Sequence, residues 1–185
     1  MTDLARAPST TAEPARAPSA RTGSAIAGQT VVLRPTTAEH VPAFLAILGH
    51  PEVAKWWGGY DLERVRRELL GPQGFAIELA GEVIGLIIYY EEDDADYRHA
   101  GIDLALHPDH HGQGLGADAM RTMCRFLFTR GHHRIVIDPA AHNERAIRSY
   151  QRVGFQPVGV MRRYERSAEG SWHDGLLMEL LREDL

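Results

Sequence analysis

Cysteine is nearly absent: Cys124 is the only one in 185 residues, so no intrachain disulfide can form. That fits a reducing compartment, and a cytoplasmic location is the expectation. Cys124 lies in the apolar helical run 120–128 with no base beside it in sequence, and reads as a buried, inert thiol. Long apolar runs are missing too, and no stretch approaches the ~20 residues of a membrane span. Basic charge is also in short supply. Twenty Lys and Arg against 25 Asp and Glu leave a formal net charge of -5. A chain of that sign cannot neutralise a run of phosphates, which excludes general nucleic-acid binding. A small cationic substrate suits it better, although net charge speaks first to solubility. Ten histidines soften the balance below neutrality.

What remains is an ordinary globular composition, 44% hydrophobic and 24% charged, at a length that builds one domain with a proper core. Residues 1–28 are rich in Ala, Pro, Ser, Thr and Arg and have almost no large apolar side chains, so they read as a disordered tail. The tail lacks the apolar core of a secretory signal, and Asp3 and Glu13 argue against a transit peptide. Residues 29–185 read as a single domain.

Within it, Val31–Arg34 predicts a strand, and Thr36 or Thr37 caps a helix through about Leu48. A second helix runs from Asp61 to Leu70, stopped by Gly71-Pro72. Phe75–Leu79 and Val83–Ile88 read as strands joined by a tight turn at Gly81-Glu82. Gly101–Leu106 alternates like a strand, and a helix follows from about Gly114 to Arg130. Then come a strand at Arg134–Ile137, a helix at Asn143–Arg152, and strands at 154–164 and 175–181.

Two motifs carry chemistry. In His111-Gly112-Gln113-Gly114-Leu115-Gly116, glycines stand where a strand hands over to a helix N-terminus. Unpaired N–H groups and the helix dipole attract phosphate there, and glycine removes the Cβ that would hold it off. The spacing is neither the dinucleotide G-x-G-x-x-G nor a P-loop. In the second motif, Asn143, Ala146 and Tyr150 share one helix face, and Gly154-Phe155 follows.

Taken together, these residues resemble the GNAT N-acetyltransferase superfamily over about 29–183. The family's loop reads R/Q-x-x-G-x-G/A, and His111 departs from it by replacing Arg or Gln. The resemblance implies an α/β (α+β) fold: a mixed, mostly antiparallel twisted sheet of six to seven strands, with helices on both faces. It also implies a splay between the strands at 102–106 and 134–138, where acetyl-coenzyme A lies. Ile102, Leu104, Leu106, residues His111 through Gly116, Asn143, Ala146 and Tyr150 would bind the cofactor. Tyr150 would protonate the departing thiolate, a reasonable transfer because a phenol near ~10 faces a thiol near ~8.5.

On the acceptor side, two adjacent tryptophans, Trp56 and Trp57, cannot both face one core from a helix, so at least one lines a surface or cleft. Residues 91–96 hold five carboxylates, Asp94 among them, just before the strand of Asp103. With Asp138 on the opposite strand they would form an anionic mouth that concentrates a polycation. Trp-Trp-Gly-Gly, Asp103, the glycine loop and Asp138-Pro139 are similar to the aminoglycoside 6′-N-acetyltransferases. That implies a small cationic amino-sugar substrate, a monomer or homodimer, and antibiotic inactivation. Trp56, Trp57, Asp94, Asp103 and Asp138 are then its substrate contacts, with Asp103 and Asp138 binding the ammonium or removing its proton. Glu52 and Glu91 are reserve candidates. The amine acetylated stays open between the 6′ position and the 2′ position of kasugamycin-type compounds. A protein N-terminus or ribosomal protein is the alternative acceptor, and a non-catalytic acyl-coenzyme A sensor the alternative class. No metal is expected from His107, His110, His111, His132 and His133, which lack convergent spacing.

Overall fold

A computed structural model describes residues 23–167 and 170–185. The strands are β1 (Ile26–Ala27), β2 (Val32–Pro35), β3 (Gly74–Leu79), β4 (Glu82–Glu92), β5 (His99–Leu106), β6 (Arg134–Ile137), β7 (Gln156–Arg166) and β8 (Trp172–Leu181). They form one sheet in the order β1-β2-β3-β4-β5-β6-β8-β7, antiparallel at every junction except β5–β6. The eighth strand, beyond the expected six to seven, is β1, whose Ile26 and Ala27 pair with Leu33 and Val32. Residues 1–22 of the expected tail lie outside the described residues, but residues 26–28 belong to the fold. The cause is Asp118, whose carboxylate accepts the N–H groups of Gln29, Thr30 and Val31 at 3.0, 2.7 and 3.0 Å. One side chain of the long helix therefore clasps the whole β1–β2 turn.

Helices α1 (Val41–Gly49), α2 (Pro51–Trp57) and α3 (Leu62–Glu68) cover one face of the sheet. Helices α4 (Leu115–Thr129) and α5 (Glu144–Val153) cover the other. Asp61 caps α3 as expected, accepting Arg64 N–H at 2.8 Å. Helix α2 has no counterpart in the sequence reading, because seven residues show too little periodicity. Its signals are local: His50 Nδ1 accepts the Glu52 N–H, and Pro51 occupies the first turn. The β3–β4 turn sits one residue earlier than expected, at Ala80-Gly81, both with positive φ. That pair matches a two-residue hairpin's twist. At the far end, Gly154 takes φ 123, and Phe155 is fully buried in the α4–α5 core. The Gly-Phe pair is thus a structural closure of that core, worth about 3–5 kcal/mol if Phe155 were truncated.

The feature that positions the site is a failure of pairing. Strands β5 and β6 are joined only at Ala100↔Ile135 and Gly101↔Val136. Beyond Gly101, β5 stays paired with β4 through Leu106, while its other edge runs free. The splay between 102–106 and 134–138 is therefore present.

Candidate active site

Ile102, Leu104 and Leu106 share the face of β5 that is turned toward α4. Ile102 turns into the α4 core and is buried, so it offers a ligand only its backbone. Leu104 and Leu106 line a cavity of about 290 Å³ that runs to the N-terminus of α4. Gly112 and Gly114 sit there at φ 75 and 80, which other residues avoid. Gly114 is the N-cap of α4 and carries no side chain to cap it, so the first-turn N–H groups face the cavity without a side-chain acceptor. The acid in that turn, Asp118, is committed to residues 29–31. These features fit a pyrophosphate. Gln113 departs from expectation: it is exposed, stands outside the cavity, and donates to the Asp109 carbonyl at 2.8 Å.

His111 lines the cavity, but as a neutral group. Its Nε2 lies 3.0 Å from the Leu106 carbonyl, to which it can only donate. Burial and the nearby Arg145 both push its pKa down. Positive charge at this wall comes instead from Arg145 and Arg152, which the sequence reading missed. Arg145 also faces Glu52 at 3.8 Å, so Glu52 belongs to this cavity and not to the acceptor side. Asn143 caps α5, its Oδ1 accepting Ala146 N–H at 3.2 Å, and both residues line the same wall.

A second cavity, about 420 Å³, meets the first. Trp56, Trp57, Leu104, Asn143 and Tyr150 line both. Both tryptophans therefore serve the cleft, Trp56 against His142 and Trp57 against Tyr60. Asp103, Asp138 and Glu165 line this second space together. Burial, then Asp138, then Glu165 push the Asp103 carboxyl up to about 7. Burial and the two aspartates hold the Tyr150 phenol well above its ordinary value, so it remains a proton donor. Tyr164 donates its hydroxyl to Asp138 Oδ2 at 2.5 Å, and Tyr60 and Tyr90 complete the wall.

Asp94 and Glu91 are not part of this mouth. Strand β4 runs on through Glu92, which puts Glu91 in the ladder opposite Ala100. There it accepts hydrogen bonds from Arg130 and from His132 at 2.8 Å. Burial raises its pKa, but those partners prevail and hold it low. Asp94 is exposed in the following turn, where its carboxylate accepts Asp96 N–H. Its charge stays in solvent, so the acidic run contributes no carboxylate to the acceptor cavity. Tyr164 and Glu165 were missed because consecutive strand residues normally face opposite ways, and Tyr90 because β4 runs on past the expected strand end at Ile88. The available signals were glycines: a Cβ on Gly101 would overlap the Tyr90 ring, and one on Gly175 would crowd Tyr164. Cys124 is fully buried, its thiol pushed up to about 12 by burial.

A sheet split at β5, a glycine-lined helix start and a second cavity meeting the first at Tyr150 define an acetyltransferase. Residues 30–156 match the acetyltransferase (GNAT) domain, and the chain belongs to that family. It is also 30% identical over 154 residues to aminoglycoside N(6′)-acetyltransferase type 1 of Klebsiella pneumoniae, covering 71% of this chain and 76% of that one. Among solved structures, AAC(6′)-Ib in complex with paromomycin and acetyl-coenzyme A superimposes with a TM-score of 0.69 at 26% identity, over 84% of this chain and 95% of that one. RimJ of Mycobacterium smegmatis, in complex with a coenzyme A disulfide, reaches 0.74 at 23% identity, over 88% and 90%, a likeness of fold alone.

Proposed function

We propose that this acetyltransferase acetylates an amine of an aminoglycoside, by direct attack in a ternary complex, and so inactivates the antibiotic. Acetyl-coenzyme A is the donor, and it supplies an activated acetyl thioester. The observation that carries the reading is the meeting of two cavities at Tyr150, one walled by a glycine-lined helix start and the other by Asp103, Asp138 and Glu165. The first suits a pyrophosphate and a narrow apolar arm, the second an ammonium. Relatives named for aminoglycoside 6′-acetylation support the same acceptor, and the 6′-amine is the first position to test.

Each residue then has a task. Backbone N–H groups at Leu115 and Gly116 hold phosphate, aided by Arg145. Leu104 and Leu106 flank the arm, and the free edge of β5 donates N–H to the thioester carbonyl. Asp138 and Glu165 hold the ammonium, and Asp103 takes its first proton, which then passes to solvent. The neutral amine forms the N–C bond as the C–S bond breaks. Tyr150 gives its hydroxyl proton to the departing sulfur, and the second proton from nitrogen restores Tyr150. An aspartate near ~3.9 would be a poor base for an amine, whereas one held near 7 is well matched. Fixing both partners in place supplies much of the acceleration.

The test is coenzyme A release measured against aminoglycosides, N-terminal peptides and polyamines. Turnover of 6′-amino aminoglycosides with idle peptides is the expected result. Turnover of peptides alone would overturn the reading.

A further inference from the structure

We propose that Tyr164 is a positioning residue that splits the Asp103–Asp138 pair: its hydroxyl fixes Asp138 as the ammonium-binding anion and leaves Asp103 to take the proton. This rests on the reading of the second cavity as the amine site.

The geometry begins with a bulge. Between the pairs Met161↔Gly175 and Glu165↔His173, β7 advances four residues while β8 advances two. The excess is taken up at Arg163, at φ 51, whose N–H is held by Asp174 Oδ1 at 2.8 Å. In a regular strand Tyr164 and Glu165 would face opposite sides of the sheet. Here both line the acceptor cavity, the kind of re-aiming that bulges provide beside active sites. Gly175 is part of the device, because a Cβ there would sit 2.8 Å from the Tyr164 ring.

Neighbouring carboxylates in one cavity share their protons, and the first proton goes to the anion that is least well stabilised. Asp138 has a phenol donor at 2.5 Å. Asp103 has burial and two neighbouring carboxylates acting on it, and no hydrogen bond among those influences. A hydrogen bond to an ion is the strong kind, so the proton goes to Asp103. The groups facing the pair are Tyr60, Tyr90 on β4, Tyr150 on α5, and Tyr164 and Glu165 on β7. Burial and then Asp138 raise the Glu165 pKa as well, but His173 and His142 oppose that shift. The step itself is simple. The acceptor ammonium passes one proton to the Asp103 carboxylate, giving a neutral amine and a carboxylic acid.

The experiment is the pH profile of kcat/KM for the amine, at saturating acetyl-coenzyme A, in wild type, Tyr164→Phe and Asp138→Asn. Wild type should lose activity below about 7. Tyr164→Phe removes the donor, so the pair keeps its first proton to higher pH and the acidic limb moves up. The readout is a loss of about fivefold near pH 6 that is regained above about pH 8. Asp138→Asn removes the charge that raises Asp103, so its limb moves down, with a higher KM for the amine. Gly175→Ala, which crowds the same ring, should shift the limb in the direction of Tyr164→Phe. A Tyr164→Phe profile that keeps its limb, or falls equally at every pH, overturns the proposal. Asp103→Asn separates the two levels. If it is inactive and Tyr164→Phe keeps its limb, only the role of Tyr164 fails; if it keeps the wild-type rate, the amine-site reading fails and takes this proposal with it.

Discussion

The ring of Tyr90 occupies the space that a side chain on its cross-strand partner, Gly101, would need. Gly101 is also the last residue of β5 that pairs with β6, so the ring lies where the sheet begins to part. An aromatic covering a strand glycine is a stabilising pair, and here it also forms one wall of the acceptor cavity. Gly101→Ala should therefore expel Tyr90. We expect kcat/KM for the amine to fall about tenfold while the dissociation constant of coenzyme A holds steady. Adding Tyr90→Leu to Gly101→Ala should recover part of the loss in stability, and a double-mutant cycle of thermal unfolding measures the coupling. Strict additivity would show that the two positions do not share this space.

Arg145 tests the cradle from its charged side. His111 is neutral, held by the Leu106 carbonyl, so the cationic contribution at that wall rests on Arg145 and Arg152. Arg145→Ala should raise the KM for acetyl-coenzyme A by about tenfold with kcat little changed, the mark of uniform binding. The wild-type KM should rise with salt, and that of the variant less steeply. His111→Gln, which keeps a donor for the Leu106 carbonyl, should be nearly silent by the same assay.

The sequence made the donor side far more legible than the acceptor side, and the reason is periodicity. Gly112 through Gly116, Asn143, Tyr150 and Gly154 lie on one loop and one helix, where local spacing fixes relative position. Even so, a motif position does not reveal which way its side chain turns: Gln113 bonds the Asp109 carbonyl outside the cavity, and Ile102 buries its side chain in the core. The acceptor side is assembled across β4, β5, β6 and β7. Asp103 and Asp138 were found from the resemblance, but Tyr164 and Glu165 reach the cavity through a bulge that alternation cannot foresee. The acidic run misled for a related reason: a charge cluster carries no information about the direction it faces. Glu91 proved to be a buried partner of Arg130 and His132.

Asp118 should be a residue whose loss harms the fold without touching either cavity. Burial raises its pKa, but the three backbone N–H groups of residues 29–31 outweigh that and hold it below the usual carboxylate range. A carboxyl with a depressed folded pKa contributes its stability above the unfolded value near ~3.9, and loses it as pH falls through the folded value. Asp118→Asn leaves one donor facing another, and should cost about 2–4 kcal/mol at neutral pH. Urea unfolding followed at about pH 7 and again near pH 3 should show the penalty shrinking on the acid side. A constant penalty would mean that shape, not charge, sets the clasp.

Tyr150 is where the two halves of the site meet, and its role depends on the phenol keeping its proton until the sulfur leaves. Burial beside Asp103 and Asp138 secures that, because both carboxylates oppose a phenolate. The same arrangement makes the proton hard to give away in the resting enzyme, so transfer has to follow the growth of charge on sulfur. Tyr150→Phe should consequently lower kcat by about 10²–10⁴, the usual weight of a general acid, with coenzyme A affinity unchanged. A further expectation distinguishes acid catalysis from packing. A donor carrying a better thiol leaving group needs less protonation, so the gap between wild type and Tyr150→Phe should narrow for an acetyl thioester of a more acidic thiol. If the gap stays constant across leaving groups, Tyr150 acts by shaping the junction between the cavities and not by protonating sulfur.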